Sequence, residues 1–299
     1  RVLFKHHQIT IFIIHYMPYS GINSVIIVGF MAGIGKKSRE RLGKVLETNP
    51  AVMTSAQVVK ELNVSNTEAC RLLSRWHKSG WLHRVKRGVY IPASIESDGD
   101  NFTIEEPFLI ADSIYAPGYV GGFSAIKHWD LSEQIIETTY YLTTKKVKDR
   151  NPVHASTKFK LKTISEYKIF GIKSLWYGSK KVKISDATKT IVDILDDPKL
   201  VGGMTIVNDV FNEYLESDYA NHDLLIEYAE KMNNKTIFKR LGFLVDTLSS
   251  ENSVSFNNLE AHISSGYSEF DPLVKGDVIV DKWKLKVPLS WKKKYDRKK

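Results

Sequence analysis

Thr54-Ser-Ala-Gln-Val-Val-Lys-Glu-Leu62-Asn63-Val-Ser65-Asn-Thr-Glu-Ala-Cys-Arg-Leu-Leu-Ser-Arg-Trp-His-Lys78-Ser-Gly80 reads as two helices joined by a tight turn. Thr54 is a favourable N-cap, and Val58, Val59 and Leu62 give the first helix an inward side. Asn63-Val64 makes the turn. Ser65 caps the second helix, with Glu68 at capping-box spacing, and Gly80 supplies its C-terminal stop. Ala69, Leu72, Leu73 and Trp76 recur at i, i+3, i+4 and i+7, so they form a buried stripe. The rotation of about 100° per residue then fixes the opposite face. That face carries Thr67, Arg71, Ser74 and Lys78, with Arg75 beside them.

Working outward, residues 37–48 read as a helix with Leu42, Val45 and Leu46 at helical spacing, stopped by Asn49-Pro50. On the other side, Trp81–Val85 and Gly88–Ile91 read as short strands joined at Lys86-Arg87-Gly88. Three helices followed by a hairpin predict a winged helix-turn-helix, with the Ser65–Ser79 helix as its reading element. Arginine can fork onto a guanine edge, and Ser or Thr can meet bases or phosphates. Arg84, Lys86 and Arg87 then stand at the wing tip, where a neighbouring groove or backbone would lie. The plain alternative is a solvated helix face with a charged turn. The three-helix context and the wing favour double-stranded DNA, and so does the charge.

That charge is zoned. The chain's net +9 hides a +8 block at 36–91, a −9 body at 92–281 and a +8 end at 282–299. Basic blocks suit a polyanion, because phosphate neutralisation releases condensed counterions. One cysteine, Cys70, excludes an internal disulfide framework and a thiolate metal cage. It fits a reducing compartment, and the expected location is the cytoplasm.

Residues 1–30 are expected to be a non-native upstream extension, with Met31 as the true start; a signal anchor is the rival. Their apolar runs, Ile9–His15 and Val25–Phe30, fall short of the ~18–20 residues a span needs. The expected domains are the winged helix at 31–93, a polar linker at 94–101, a mixed α/β body at 102–290 and a basic tail at 291–299. The fold class is thus α+β, with a helical C-terminal half. In the body, Glu106–Ile114 reads as a helix, and Gly118–Phe123 as a glycine turn into a Ser124–Trp129 helix. Strands are expected at Thr138–Thr144, Lys158–Ile164, Ile169–Lys173 and Leu175–Tyr177. Helices are expected at Ser185–Leu195, Val207–Tyr214, Leu224–Met232 and Lys235–Leu248.

Motifs for chemistry are weak. Gly33-Ile-Gly35-Lys36-Lys37-Ser38 hints at a phosphate loop, but Phe30 stands where its first glycine is needed. His77 and His83 flank the end of the reading helix without an acidic partner in sequence. His128, His154, His222 and His262 lack metal-ligand spacing. Asp186, Asp193, Asp196 and Asp197 cluster around one helix and are the candidates for a nuclease metal. Asp186 is better read as a helix-start residue, and Asp193 is as well suited to a turn or a buried hydrogen bond as to a metal. No catalytic residue, metal or cofactor is expected, and the chain is read as a non-enzyme.

The order of features resembles the AbiEi-type antitoxins, transcriptional regulators of abortive-infection toxin–antitoxin pairs, over about residues 36–290. The pieces that carry it, besides the winged helix, are Tyr119-Val-Gly-Gly-Phe-Ser-Ala-Ile-Lys-His-Trp-Asp-Leu131 and Val182-Lys-Ile-Ser-Asp-Ala-Thr-Lys-Thr-Ile-Val-Asp-Ile-Leu195. Pro198, Gly202-Gly203, Lys239-Arg-Leu-Gly-Phe-Leu244, Asp271-Pro272 and Trp283-Lys-Leu follow in order. Lys189 stands where the family helix often carries an acidic residue, and Pro288 where Asn commonly follows the last strand. The resemblance implies a repressor of its own operon that counteracts a nucleotidyltransferase-like toxin; the short apolar runs lead to no expected membrane association. A ligand-responsive stand-alone regulator and a nuclease or restriction subunit are the competing readings.

Overall fold

The computed structural model describes residues 35–48, 51–93, 106–177, 180–248, 256 and 258–297. The expected extension at 1–30 and the expected linker at 94–101 lie outside the described residues. The protein is a mixed α+β structure with three sheets among the described residues. It divides into two compact units. The first takes the described residues up to Ile114 together with Pro152–Lys158 and Trp176–Lys180; the second takes the rest.

The first unit begins with α1 (Lys36–Thr48), β1 (Met53–Thr54), α2 (Ser55–Leu62), α3 (Asn66–Lys78), β2 (Leu82–Lys86) and β3 (Val89–Pro92). The strands form a three-stranded antiparallel sheet in the order β1-β3-β2. Leu42, Val45, Met53, Val58, Ala69, Leu72, Leu73, Trp76, Leu82 and Tyr90 make one buried cluster, so these six elements share a core of their own. Leu46, Val59, Leu62 and Trp81 pack against it half-buried.

Next come α4 (Pro107–Tyr115), β4 (Gly118–Val120), α5 (Phe123–His128), β5 (Thr139–Thr143), β6 (Val153–His154), β7 (Thr157–Thr163), β8 (Ile172–Tyr177) and β9 (Lys180–Ser185). The six strands are ordered β6-β7-β5-β4-β9-β8. β5 runs parallel to β7 and antiparallel to β4, and β4 runs parallel to β9. The glycine turn expected at Gly118–Phe123 is in part a strand. Gly118 is required there by close approach, because a Cβ would collide with the Leu142 carbonyl of β5. Only Gly122, at φ +54°, turns the chain into α5. The strands expected at Ile169–Lys173 and Leu175–Tyr177 are one strand, β8, and β9 precedes the helix expected from Ser185.

The rest of the second unit is α6 (Ala187–Asp196), α7 (Met204–Glu216), α8 (His222–Lys231), α9 (Thr236–Thr247), β10 (Ser268–Glu269), β11 (Val278–Val280), β12 (Leu285–Val287) and α10 (Leu289–Asp296). α6 is central and buried on nearly all sides from Ala187 to Leu195. The last three strands form a small sheet in the order β10-β12-β11. The lysine-rich end is in part α10, an ordered helix. Its Tyr295 is 2% exposed and stacks on Phe243 of α9 at 5.2 Å. No helix among the described residues is long and apolar enough to cross a membrane.

Candidate nucleic-acid interface

The α2–α3 turn forms by local chemistry. Gln57 N–H donates to Thr54 Oγ1 at 3.3 Å, capping α2, and Asn63 takes the left-handed conformation at φ 50° to end it. Glu68 N–H donates to Ser65 Oγ at 3.2 Å, capping α3. The Glu68 carboxylate lies 3.7 Å from Arg41 of α1 rather than completing a reciprocal cap. Ala69, Leu72, Leu73 and Trp76 are the buried stripe of α3. Trp76 Nε1 donates to Ser38 Oγ at 2.9 Å, which sets the rotation of α3 against α1.

That rotation decides which side chains face out. Thr67, Cys70, Arg71, Arg75 and Lys78 are exposed, and Ser74 is half-buried among them. Among the described residues the ion pair of α3 is Glu68 with Arg41, so Arg71, Arg75 and Lys78 have no carboxylate partner. In the hairpin, Gly88 at φ +80° makes the tight reversal. The register shifts between Arg84 and Lys86, a bulge that turns Val85 inward and keeps Arg84 and Lys86 outside. Arg87 is exposed at the tip. All eight residues picked from the sequence therefore sit on one small unit, with their cations directed to solvent.

The carboxylates of the second unit are committed elsewhere. Asp186 caps α6, accepting from Lys189 N–H at 2.7 Å, and also accepts from Tyr228 OH at 3.1 Å. Burial nonetheless pushes its carboxyl up. Asp193, 3% exposed, accepts from Tyr119 OH at 2.9 Å and pairs with Lys189, which is fully buried. Lys189 Nζ also donates to Tyr119 OH at 3.0 Å and lies 4.8 Å from the centre of the Phe170 ring. Burial and the neighbouring Asp193 push the Tyr119 hydroxyl well up. Asp196 receives Lys168 at 2.8 Å and the Asn234 amide at 2.9 Å, and Asp197 receives Lys162 at 2.9 Å. Among the described residues no group of three or more His, Cys, Asp or Glu is placed to share a metal ion.

Burial pushes the Asp196 carboxyl up, but Asn234, Lys168 and Lys162 outweigh it and hold the group below its ordinary value of 3.8. A depressed carboxylate contributes stability that is present above the unfolded value and is lost as pH falls through the folded one. Asp196→Asn is therefore expected to lower the melting temperature at neutral pH. It should also flatten the fall in stability below about pH 4. Parallel acid-denaturation curves for variant and parent would count against this role.

Sequence reasoning missed several residues that hold the second unit together. Arg240 is 6% exposed, and its guanidinium donates to the carbonyls of Phe270 at 2.9 Å, Leu195 at 2.8 Å and Asp196 at 3.2 Å. It thereby caps the C-terminal end of α6 and ties it to β10. Asp271 caps α7, accepting from Met204 N–H at 2.8 Å. At Gly242 a Cβ would collide with the Trp283 ring. The Arg-Leu-Gly and Asp-Pro segments thus have packing roles; their long-range partners left no local signal in the sequence.

No protein-family model and no curated protein matches the chain. Among solved structures it is similar to the crystal structure of the RV2827C protein from Mycobacterium tuberculosis. The likeness covers 83% of this chain and 89% of that one, with a TM-score of 0.51 and 13% sequence identity. At that identity it is a likeness of fold.

Proposed function

We propose that residues 31–93 are a winged helix-turn-helix that binds double-stranded DNA, and that the chain is a transcriptional repressor of antitoxin type. The observation that carries the reading is the outward face of α3. Its inward stripe is saturated by apolar packing, while Arg71, Arg75 and Lys78 are exposed and unpaired beside the exposed cations Arg84 and Arg87 of the hairpin. A solvated helix face would serve equally well with carboxylates interspersed; this one has none after Glu68.

The test is selection of a duplex by the full-length protein from a randomised library, followed by titration at several salt concentrations. Arg71→Ala should lose ~1–3 kcal/mol of discrimination at the base pair it reads. Lys78→Ala should weaken binding to all duplexes and reduce the salt slope by about one. Cys70 is exposed on the same face, and bound DNA should slow its alkylation several-fold. Unchanged alkylation together with an unchanged Arg71→Ala affinity would take α3 off the DNA.

Residues 102–290, most of which fall in the second unit, are proposed to counteract a nucleotidyltransferase-like toxin, directly or only functionally, while the winged helix represses the operon from the cytoplasm. The support is the resemblance described above and the acidic balance of 92–281, which suits a basic partner. Co-expression with the product of the adjacent gene tests it. Growth should be restored by the chain, and equal growth arrest with or without it would end the antitoxin reading.

A further inference from the structure

The proposed reading helix and the wing are joined by a side chain that belongs to neither strand. Ala93 N–H donates to the Trp81 carbonyl at 3.0 Å, so residues 81 and 93 form a hydrogen-bonded pair of the antiparallel ladder. The next pair, Leu82 with Pro92, is then of the other kind, whose N–H and C=O groups turn away from the partner strand. β2 is the outer strand of its sheet, so the Leu82 carbonyl points away from the ladder. His77, in the last turn of α3, meets it there: its Nδ1 lies 2.9 Å from the Leu82 oxygen. A carbonyl only accepts, so the ring carries a proton on Nδ1 and donates it. The same ring lies 6.0 Å from that of Tyr90 on β3, directly across from Arg84. His77 therefore touches both strands of the wing from the end of the helix.

Between helix and wing the chain turns at one left-handed residue. Gly80 sits at φ +74°, and a Cβ there would meet nothing within 4 Å. Gly80 N–H donates to His77 O and Trp81 N–H to Trp76 O across the turn, and Leu82 and Tyr90 share the core of α3; His77 adds a polar tie from the end of α3 to the outer strand.

We propose that His77 is a positioning residue for DNA binding: by donating to the Leu82 carbonyl it fixes the angle of the wing against α3 and so places Arg84, Lys86 and Arg87 on the duplex. The inference rests on the DNA-binding reading above. It gives His77 a role apart from metal or acid–base chemistry, and it requires that Nδ1, not Nε2, is the working nitrogen.

The experiment uses the full-length chain and the duplex that the wild-type protein selects. In His77→Asn the amide nitrogen falls near the place of Nδ1; in His77→Gln it falls near that of Nε2; His77→Phe keeps a ring without a donor. His77→Asn should bind within about twofold of wild type, while His77→Gln and His77→Phe should lose about three- to tenfold, the worth of one hydrogen bond. That loss should vanish when Arg84→Ala, Lys86→Ala and Arg87→Ala are combined with it, since there is then no wing contact to misplace. Hydroxyl-radical footprints of His77→Phe should lose the nucleotides protected by the wing and keep those protected by α3. Equal binding by the Asn and Phe variants, or a loss that persists without the wing cations, overturns the proposal. A wild-type chain that selects no duplex removes the DNA reading itself, and the role of His77 with it.

Discussion

Asp193→Ala should destabilise the second unit by about 3–5 kcal/mol, because it leaves the Lys189 ammonium buried without its counter-charge. Lys189 is fully buried in the first turn of α6, within reach of Tyr119 OH and the Phe170 ring, and neither of those carries a charge. The melting temperature should fall by on the order of 10 °C or more. Replacing both partners, as in Lys189→Met with Asp193→Leu, should recover much of the loss, since apolar pairs of similar volume often match a buried ion pair. Calorimetry on the single and double variants measures both effects. A single variant that melts with the parent would mean the pair contributes nothing. The same variant tests the nuclease alternative: magnesium- or manganese-dependent cleavage abolished by Asp193→Ala or Asp186→Ala would overturn the non-enzyme reading.

Trp76→Ala is the matching expectation for the first unit. The indole is fully buried among Leu42, Val58, Leu72 and Leu82, and its Nε1 proton is held by Ser38 Oγ. Removing it should cost ~3–5 kcal/mol, through lost burial and a cavity that a small core cannot close. A core of this size has little reserve. The first unit should therefore melt in a separate, lower transition, and duplex binding should disappear while the transition of the second unit stays in place. Retained binding with an unchanged thermogram would show that Trp76 does not organise α3.

Much of the first unit was legible in residues 37–92. Its instructions are local: Thr54 and Ser65 cap the helices that follow them, Asn63 and Gly80 take the backbone conformations that end them, and the apolar spacing of α3 states which side is inward. Because a helix has a fixed rotation per residue, naming Ala69, Leu72, Leu73 and Trp76 as buried also placed Thr67, Arg71 and Lys78 outside. The bulge beside Val85 and the link from His77 to Leu82 were not legible. Both depend on the register of two strands, and nothing in either strand alone encodes it.

The second unit was legible as a mixture of helices and strands, less so as an arrangement. β4 hid inside what looked like a glycine turn, because the reason for Gly118 is the backbone of β5, more than twenty residues away. The candidate acids around α6 show the same limit. Sequence placed Asp186 at a helix start by its neighbours, and the cap it makes is a contact three residues long. For Asp193 it left a choice between a buried hydrogen bond and a metal ligand. What resolves that choice is Tyr119, 74 positions earlier, and a helix packed on nearly every side. By itself, the sequence determined the caps, turns and helix faces, since each is an interaction across one or two turns of chain. Tertiary structure decided that Tyr119 meets Lys189 and Asp193 and that Arg240 reaches the end of α6, since burial brings together groups whose separation in sequence carries no signal of their meeting.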